Sequence, residues 1–182
     1  MRTWIVLLRG VNVGGHNMLP MKELRELLSE LGYRNVRTYI QSGNYVFRSE
    51  ETNADLLAEN VVSGIERSFG FKPEALALTL EQLDAAIEQC PYPGRIDASG
   101  VHLFFLPQLA ADTDLVALEV LRKETEAFSL TERVFYLSAP DGIGRSRLAA
   151  EVERHMPASL TARNLRSVSR ITELARTVSQ EH

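Results

Sequence analysis

Apolar runs of strand length and apolar stripes with a helical period alternate along this chain in one order, and the order recurs. Residues 3–9 are an apolar run closed by Gly10. Pro20 then opens a helical pattern in which Leu24, Leu27, Leu28 and Leu31 share a face until Gly32 ends it. Residues 36–40 and 44–48 are strand-like and flank "QSG", a hairpin signal. Residues 53–69 carry Leu56, Leu57, Val61, Ile65 and Phe69 at helical intervals before Gly70, residues 74–79 form another strand, and 80–89 another helix. Strand, helix, strand, strand, helix, strand is the split βαβ or ferredoxin-like order, which predicts an antiparallel sheet with helices on one face.

Residues 91–100, "PYPGRIDASG", hold two prolines and two glycines and are the best linker in the chain. Beyond it, 101–106 is a strand, 114–123 a helix, 127–130 and 133–138 a strand pair, and 146–155 a helix. The expected protein is therefore α+β in two related halves. Residues 1–90 form a ferredoxin-like βαββαβ half plus a helix, and 101–182 a second βαββα half that ends in a helix at 165–178 with no last strand.

The 182 residues are 45% hydrophobic and 24% charged, the balance of an ordinary folded protein. "WIVLL" spans only 5 residues between Arg2 and Arg9. That is far short of the roughly 20 needed to cross a bilayer, so no membrane association and a cytoplasmic setting are expected. Cys90 is the lone cysteine, which leaves no internal disulfide and no multi-cysteine zinc site; it is expected to be a structural thiol at a helix end. His16, His102, His155 and His182 show no metal-ligand spacing, and no cofactor or metal is expected. The net charge of −4 hides basic ends and an acidic middle. Residues 1–49 carry 7 basic and 3 acidic side chains, residues 50–139 carry 6 and 16, and residues 140–182 carry 7 and 5. If the ends meet, they form a face that attracts anions; solvated acidic helix faces explain the middle equally well.

Against that background "LRGVNVGGHN" can be tested as a phosphate cradle. A P-loop needs lysine and a hydroxyl after its second glycine, where this chain has His16 and Asn17. The dinucleotide fingerprint fails because Asn12 holds its second glycine position. A glycine-rich strand-to-helix loop flanked by Arg9 and His16 remains, open either to an anion or to a purely structural tight turn. Three further stretches are of the same kind: "QSGN" (Gln41 to Asn44), "PDGIGRSRL" with Arg145 and the natural N-cap Ser146, and "TARN" with Arg163 and Asn164 before the last helix.

"LLRGVNVGGHNMLPMKELRELLSELGYRNVRTYIQSGNYVF", "PDGIGRSRL" and "TARNLRSV" together resemble the bacterial domain-of-unknown-function family 1697, over nearly the whole chain. The resemblance implies a stand-alone cytoplasmic α+β protein and carries over no reaction. It also implies that polar loops, rather than core strands, are the family hallmark, which favours a site there.

The expected function is the binding, with or without turnover, of a small phosphorylated or otherwise anionic ligand. Arg9, Asn12, Gln41, Ser42, Asn44, Arg145, Ser146, Arg163 and Asn164 are the candidate clamps, with Gly14, Gly15 and His16 forming the cradle. Loops 10–17 and 41–44 are expected at the same end of one sheet, and Arg145 and Arg163 are expected to reach them. The strand order is also similar to that of acylphosphatases, which hold phosphate in the loop after the first strand, although residues 10–17 contain no arginine. Two alternatives stand beside this reading. "QSGNYVFR" is a partial match to an RNA-recognition pattern, with a pI near 5.6 against it; the other is a protein-interaction module. Enzymatic activity and oligomeric state are left open.

Overall fold

The structure, a computed structural model, describes residues 1–92, 100–111 and 113–181. Most of the expected linker 91–100, together with His182, lies outside the described residues. The chain divides into two compact units, Met1–Ala85 with Arg170–His182, and Ala86–Ser169.

The first unit is built on β1 (Arg2–Arg9), α1 (Met21–Glu30), β2 (Arg34–Tyr39), β3 (Asn44–Ser49), α2 (Ala54–Phe69) and β4 (Glu74–Thr79), followed by α3 (Leu80–Glu88). Its sheet has the order β2-β3-β1-β4 with every neighbouring pair antiparallel. β1 and β2 therefore run parallel with β3 between them, as a split βαβ crossover requires. Trp4, Val6 and Leu8, at alternate positions of β1, pack with Tyr45 and Phe47 of β3 against Leu24 and Leu28 of α1 and Leu57, Val61 and Ile65 of α2. Tyr33 stacks on Phe47 at 4.3 Å between ring centroids. Helix ends follow local chemistry: Asn53 caps α2 by accepting from the Asp55 and Leu56 N–H groups, and Gly70 closes it at φ 77°.

The second unit repeats the plan with β5 (Val101–Phe105), α4 (Leu115–Leu121), β6 (Ala127–Leu130), β7 (Val134–Ser138), α5 (Arg147–Glu151) and β8 (Thr161–Asn164), after which α6 (Leu165–Gln180) begins. The sheet order is β6-β7-β5-β8, the same as the first once each half is numbered from its own first strand. Phe104, Phe135, Leu137, Leu148, Val152 and Leu118 form its core.

Two expectations need correction. "TARN" is a strand, not a loop: Thr161–Asn164 pairs with β5 from Phe105↔Thr161 to His102↔Asn164, so the second half has its last strand before the final helix. The helix expected over 146–155 is α5 followed by a 3-10 turn at Val152–His155.

Candidate functional site

In the first unit the loops after β1 and before β3 come together at one end of the sheet. Gly10, at φ 73°, turns the chain out of β1. The Asn12 N–H donates to the Asn17 carbonyl at 3.1 Å and the His16 N–H to the Val13 carbonyl at 3.0 Å, so residues 12–17 form a miniature hairpin. Gly14 and Gly15 are its two central residues, at φ 59° and 77°. Positive φ at both positions marks the two-residue turn that matches right-handed strand twist, and glycine adopts it at least cost. The opening motif is thus a hairpin tip and not a P-loop.

The asparagines hold this tip in place. Asn12 Nδ2 donates to the Leu19 carbonyl at 3.1 Å and to the Gln41 carbonyl at 2.9 Å, while its Oδ1 accepts the Leu19 N–H at 2.7 Å. Asn17 Nδ2 donates to the Gly10 carbonyl at 2.9 Å. One side chain therefore ties the hairpin to the following chain and to the β2–β3 turn. That turn is anchored further by the Leu8 N–H, which donates to the Gly43 carbonyl at 2.7 Å. Asn44 is fully buried, and its Nδ2 donates to the Tyr39 carbonyl and to Ser42 Oγ.

Loops 10–17 and 41–44 are brought together as the sequence suggests, but Asn12 and Asn44 have spent their amides on the loops themselves. Arg9 reaches across the β1–β4 ladder to Glu74, with Nη1 at 3.3 Å from Oε2. Gln41, Ser42 and His16 are exposed on the surface of this cluster. The N–H groups of Gly14 and Gly15 have no partner among the described residues.

Arg145, Ser146, Arg163 and Asn164 belong to the second unit. Arg145 sits in a 3-10 turn at Ile143–Arg145, its carbonyl accepting from Lys123 Nζ at 2.6 Å. Ser146 caps α5 by accepting the Ala149 N–H. Arg163 is half-buried and donates to the Ala162 carbonyl, and Asn164 Oδ1 accepts the Ser167 N–H at 2.7 Å.

Apolar side chains at the loop surface escape a reading that looks for polar ligands. Val13 is 66% exposed, Met18 62% and Ile40 54%. Ile40 also stands at φ 49°, a left-handed conformation that a β-branched residue adopts only under strain. Its position just before "QSG" was the one available signal. In contrast, Tyr45 and Phe47 of the RNA-type motif are wholly buried, so neither ring is open to a base.

In the second unit, burial pushes the Cys90 thiol up, against a reactive thiolate, and pushes the buried His102 down. Tyr136, raised to about 12 by burial, donates to the Ala86 carbonyl at 2.9 Å. Among the described residues no group of three or more His, Cys, Asp or Glu side chains could hold a metal ion, and no helix is long and apolar enough to cross a membrane.

The fold and these loops define a duplicated α+β protein with two four-stranded antiparallel sheets. The chain belongs to the family described as "Protein of unknown function (DUF1697)", whose model matches residues 1–136. It is similar to a solved structure, that of the conserved bacterial protein SP0830 from Streptococcus pneumoniae. The identity is 25% and the TM-score 0.75, covering 95% of this chain and 98% of that one. No curated protein matches it.

Proposed function

We propose that the loop surface at the end of the first sheet binds a small phosphorylated or otherwise anionic ligand. One observation carries this reading. Of the eleven described residues with positive φ, seven (Gly10, Asn12, Gly14, Gly15, Asn17, Ile40 and Gly43) lie in these two adjoining loops. Three of them, Asn12, Asn17 and Ile40, carry side chains in a conformation that persists only where the surroundings enforce it, and such conformations gather at functional sites. Here it is enforced by Asn12 and Asn17 and serves no core: residues 12–18 are exposed or half-exposed. The outcome is a rigid tip with two open glycine N–H groups beside an exposed imidazole, and Arg9 at its base. Pre-formed N–H groups accept an anion without a further ordering cost.

A second reading rests on Val13, Met18 and Ile40, whose exposure suits a protein partner better than a small polar ligand. A thermal-shift screen separates the two. Nucleotides, sugar phosphates and polyphosphate should raise the melting temperature in a saturable way, and His16→Ala should diminish the rise. No rise with any of these, together with self-association or partner capture that Val13→Ser and Met18→Ser remove, would replace the first reading with the second.

A further inference from the structure

At the opposite end of the same sheet, where β1 begins and β3 and β4 end, the first unit holds a polar cleft of about 330 Å³. Arg2 and Thr3 of β1, Arg48 of β3 and Glu81 in the first turn of α3 line it. Thr3 and Arg48 face each other directly across the β1–β3 ladder.

Three features of these side chains are unexplained by the fold. Thr3 is only 8% exposed, yet its hydroxyl has no hydrogen-bond partner among the described residues and is not sealed from solvent. The cleft it lines is where that hydroxyl meets water. Arg48 donates through Nη1 to the Glu181 carbonyl, but its Nε is sealed without a partner and no carboxylate among the described residues forms a salt bridge with it. The Glu181 carboxylate is taken by Arg37, whose Nη2 lies 3.1 Å from both oxygens. Arg2 has no salt bridge among the described residues either; its guanidinium lies 5.7 Å from the centre of the Trp4 ring, an arrangement that steadies it without neutralising it. A guanidinium half-withdrawn from water with no counter-charge among the described residues is costly unless an anion arrives.

We propose that this cleft is a second anion site, separate from the loop surface, which takes the phosphate group of a small phosphomonoester between Arg48, Arg2 and the Thr3 hydroxyl. The Arg2 guanidinium, the Nη2 group of Arg48 and the Thr3 hydroxyl all donate, and phosphate oxygens accept from such a set. The amino end of α3 adds to the positive potential. Among the described residues Glu81 is the one acid in the lining, and it is engaged already: its own N–H and the Thr79 hydroxyl, with a smaller contribution from Arg2, keep its carboxyl below the usual range. That carboxylate disfavours a bare dianion and accepts from a hydroxyl or amine, so the ligand carries such a donor beside its phosphate. The polar lining and a volume near the low end of small-molecule sites, roughly 300–1,000 Å³, exclude a bulky apolar body.

Calorimetric titration of the full chain with inorganic phosphate and with glycerol phosphate, at matched ionic strength, tests the proposal. Saturable binding that depends on Arg48 is expected, tighter for the ester. Arg48→Gln should weaken it at least about tenfold and Thr3→Val several-fold, as loss of charge-assisted and neutral hydrogen bonds implies. Arg2→Gln, at an exposed position that folding does not need, should also weaken it, and His16→Gln should leave it unchanged. No saturable binding, or affinity unaltered in both Arg48→Gln and Arg2→Gln, overturns the site. Loss in His16→Gln with retention in Arg48→Gln overturns it too, because it moves the anion to the loops.

Discussion

Replacing Gly43 by alanine should destabilise the first unit more than any other glycine change in its loops. A Cβ at Gly43 would lie 2.8 Å from Leu8 Cβ, 2.8 Å from Val11 Cγ2 and 3.1 Å from the Leu8 carbonyl oxygen. None of these can swing aside: Leu8 and Val11 are 1% and 3% exposed, and the carbonyl belongs to β1. Overpacking of that kind costs about 1–3 kcal/mol. A left-handed conformation adds about 1–2 kcal/mol for a residue with a side chain, and Gly43 sits at φ 75°. Together these predict about 2–5 kcal/mol, a large part of the roughly 5–15 kcal/mol that holds a domain folded. Gly15 is the internal control. It has nearly the same φ, 77°, but nothing lies within 4 Å of its would-be Cβ, so Gly15→Ala should cost only the conformational part, about 1–2 kcal/mol. Urea unfolding of both variants, read as midpoints at unchanged slope, measures the difference. Equal losses would show that the β1 end and the β2–β3 turn do not pack as tightly as described, and the joined-loop account would fall with them.

Asn12→Ala removes the three hydrogen bonds that join the hairpin to Leu19 and Gln41, and should cost about 1–3 kcal/mol and raise amide exchange across residues 12–19. Ile40→Asn keeps the left-handed backbone with a residue that tolerates it, so stability should hold or rise by up to about 1 kcal/mol; a clear loss would mean that Ile40 packs in a way its exposure does not suggest. Asn53→Ala should cost about 1 kcal/mol through the lost cap of α2, measured by thermal unfolding. His102 is held below its ordinary value by burial, so the folded state takes up its proton later than the unfolded one. Stability should be complete above about pH 6.5 and decline as pH falls through the depressed folded value, and His102→Leu should flatten that slope.

What could be seen in the sequence divides by the range of the forces involved. β1, α1, β2, β3, α2, β4 and α3 are punctuated locally by Gly10, Pro20, Gly32, Asn53 and Gly70, and their periodicities are long enough to read. β8 is not legible, because four residues, Thr161–Asn164, cannot show an alternation; they are a strand because β5 offers an edge to pair with. The shortened α5 is similar: Ser146 announces its start, but its conversion to a 3-10 turn after Glu151 has no local mark.

The site divides the same way. That residues 10–17 and 41–44 are polar, glycine-rich turns is written in their composition. That Asn12 spends its amide on carbonyls at Leu19 and Gln41, and that Arg9 faces Glu74 across the ladder, depends on register and cannot be read from spacing. The Arg2, Thr3 and Arg48 cleft was invisible for the same reason, since its residues are 45 positions apart and meet only through the Thr3↔Arg48 pairing. Exposed apolar residues such as Val13 and Met18 escape because a valine or methionine carries no positional signal of its own.

The anion-binding account of the loops is tested most directly by amide NMR of the full chain, titrated with whichever phosphorylated compound raises the melting temperature most. The Gly14 and Gly15 N–H signals should shift together along one saturation curve and move downfield as N–H groups take up an oxyanion, and Arg48→Gln should leave that curve intact. Saturable binding that leaves those two amides unmoved would contradict the account.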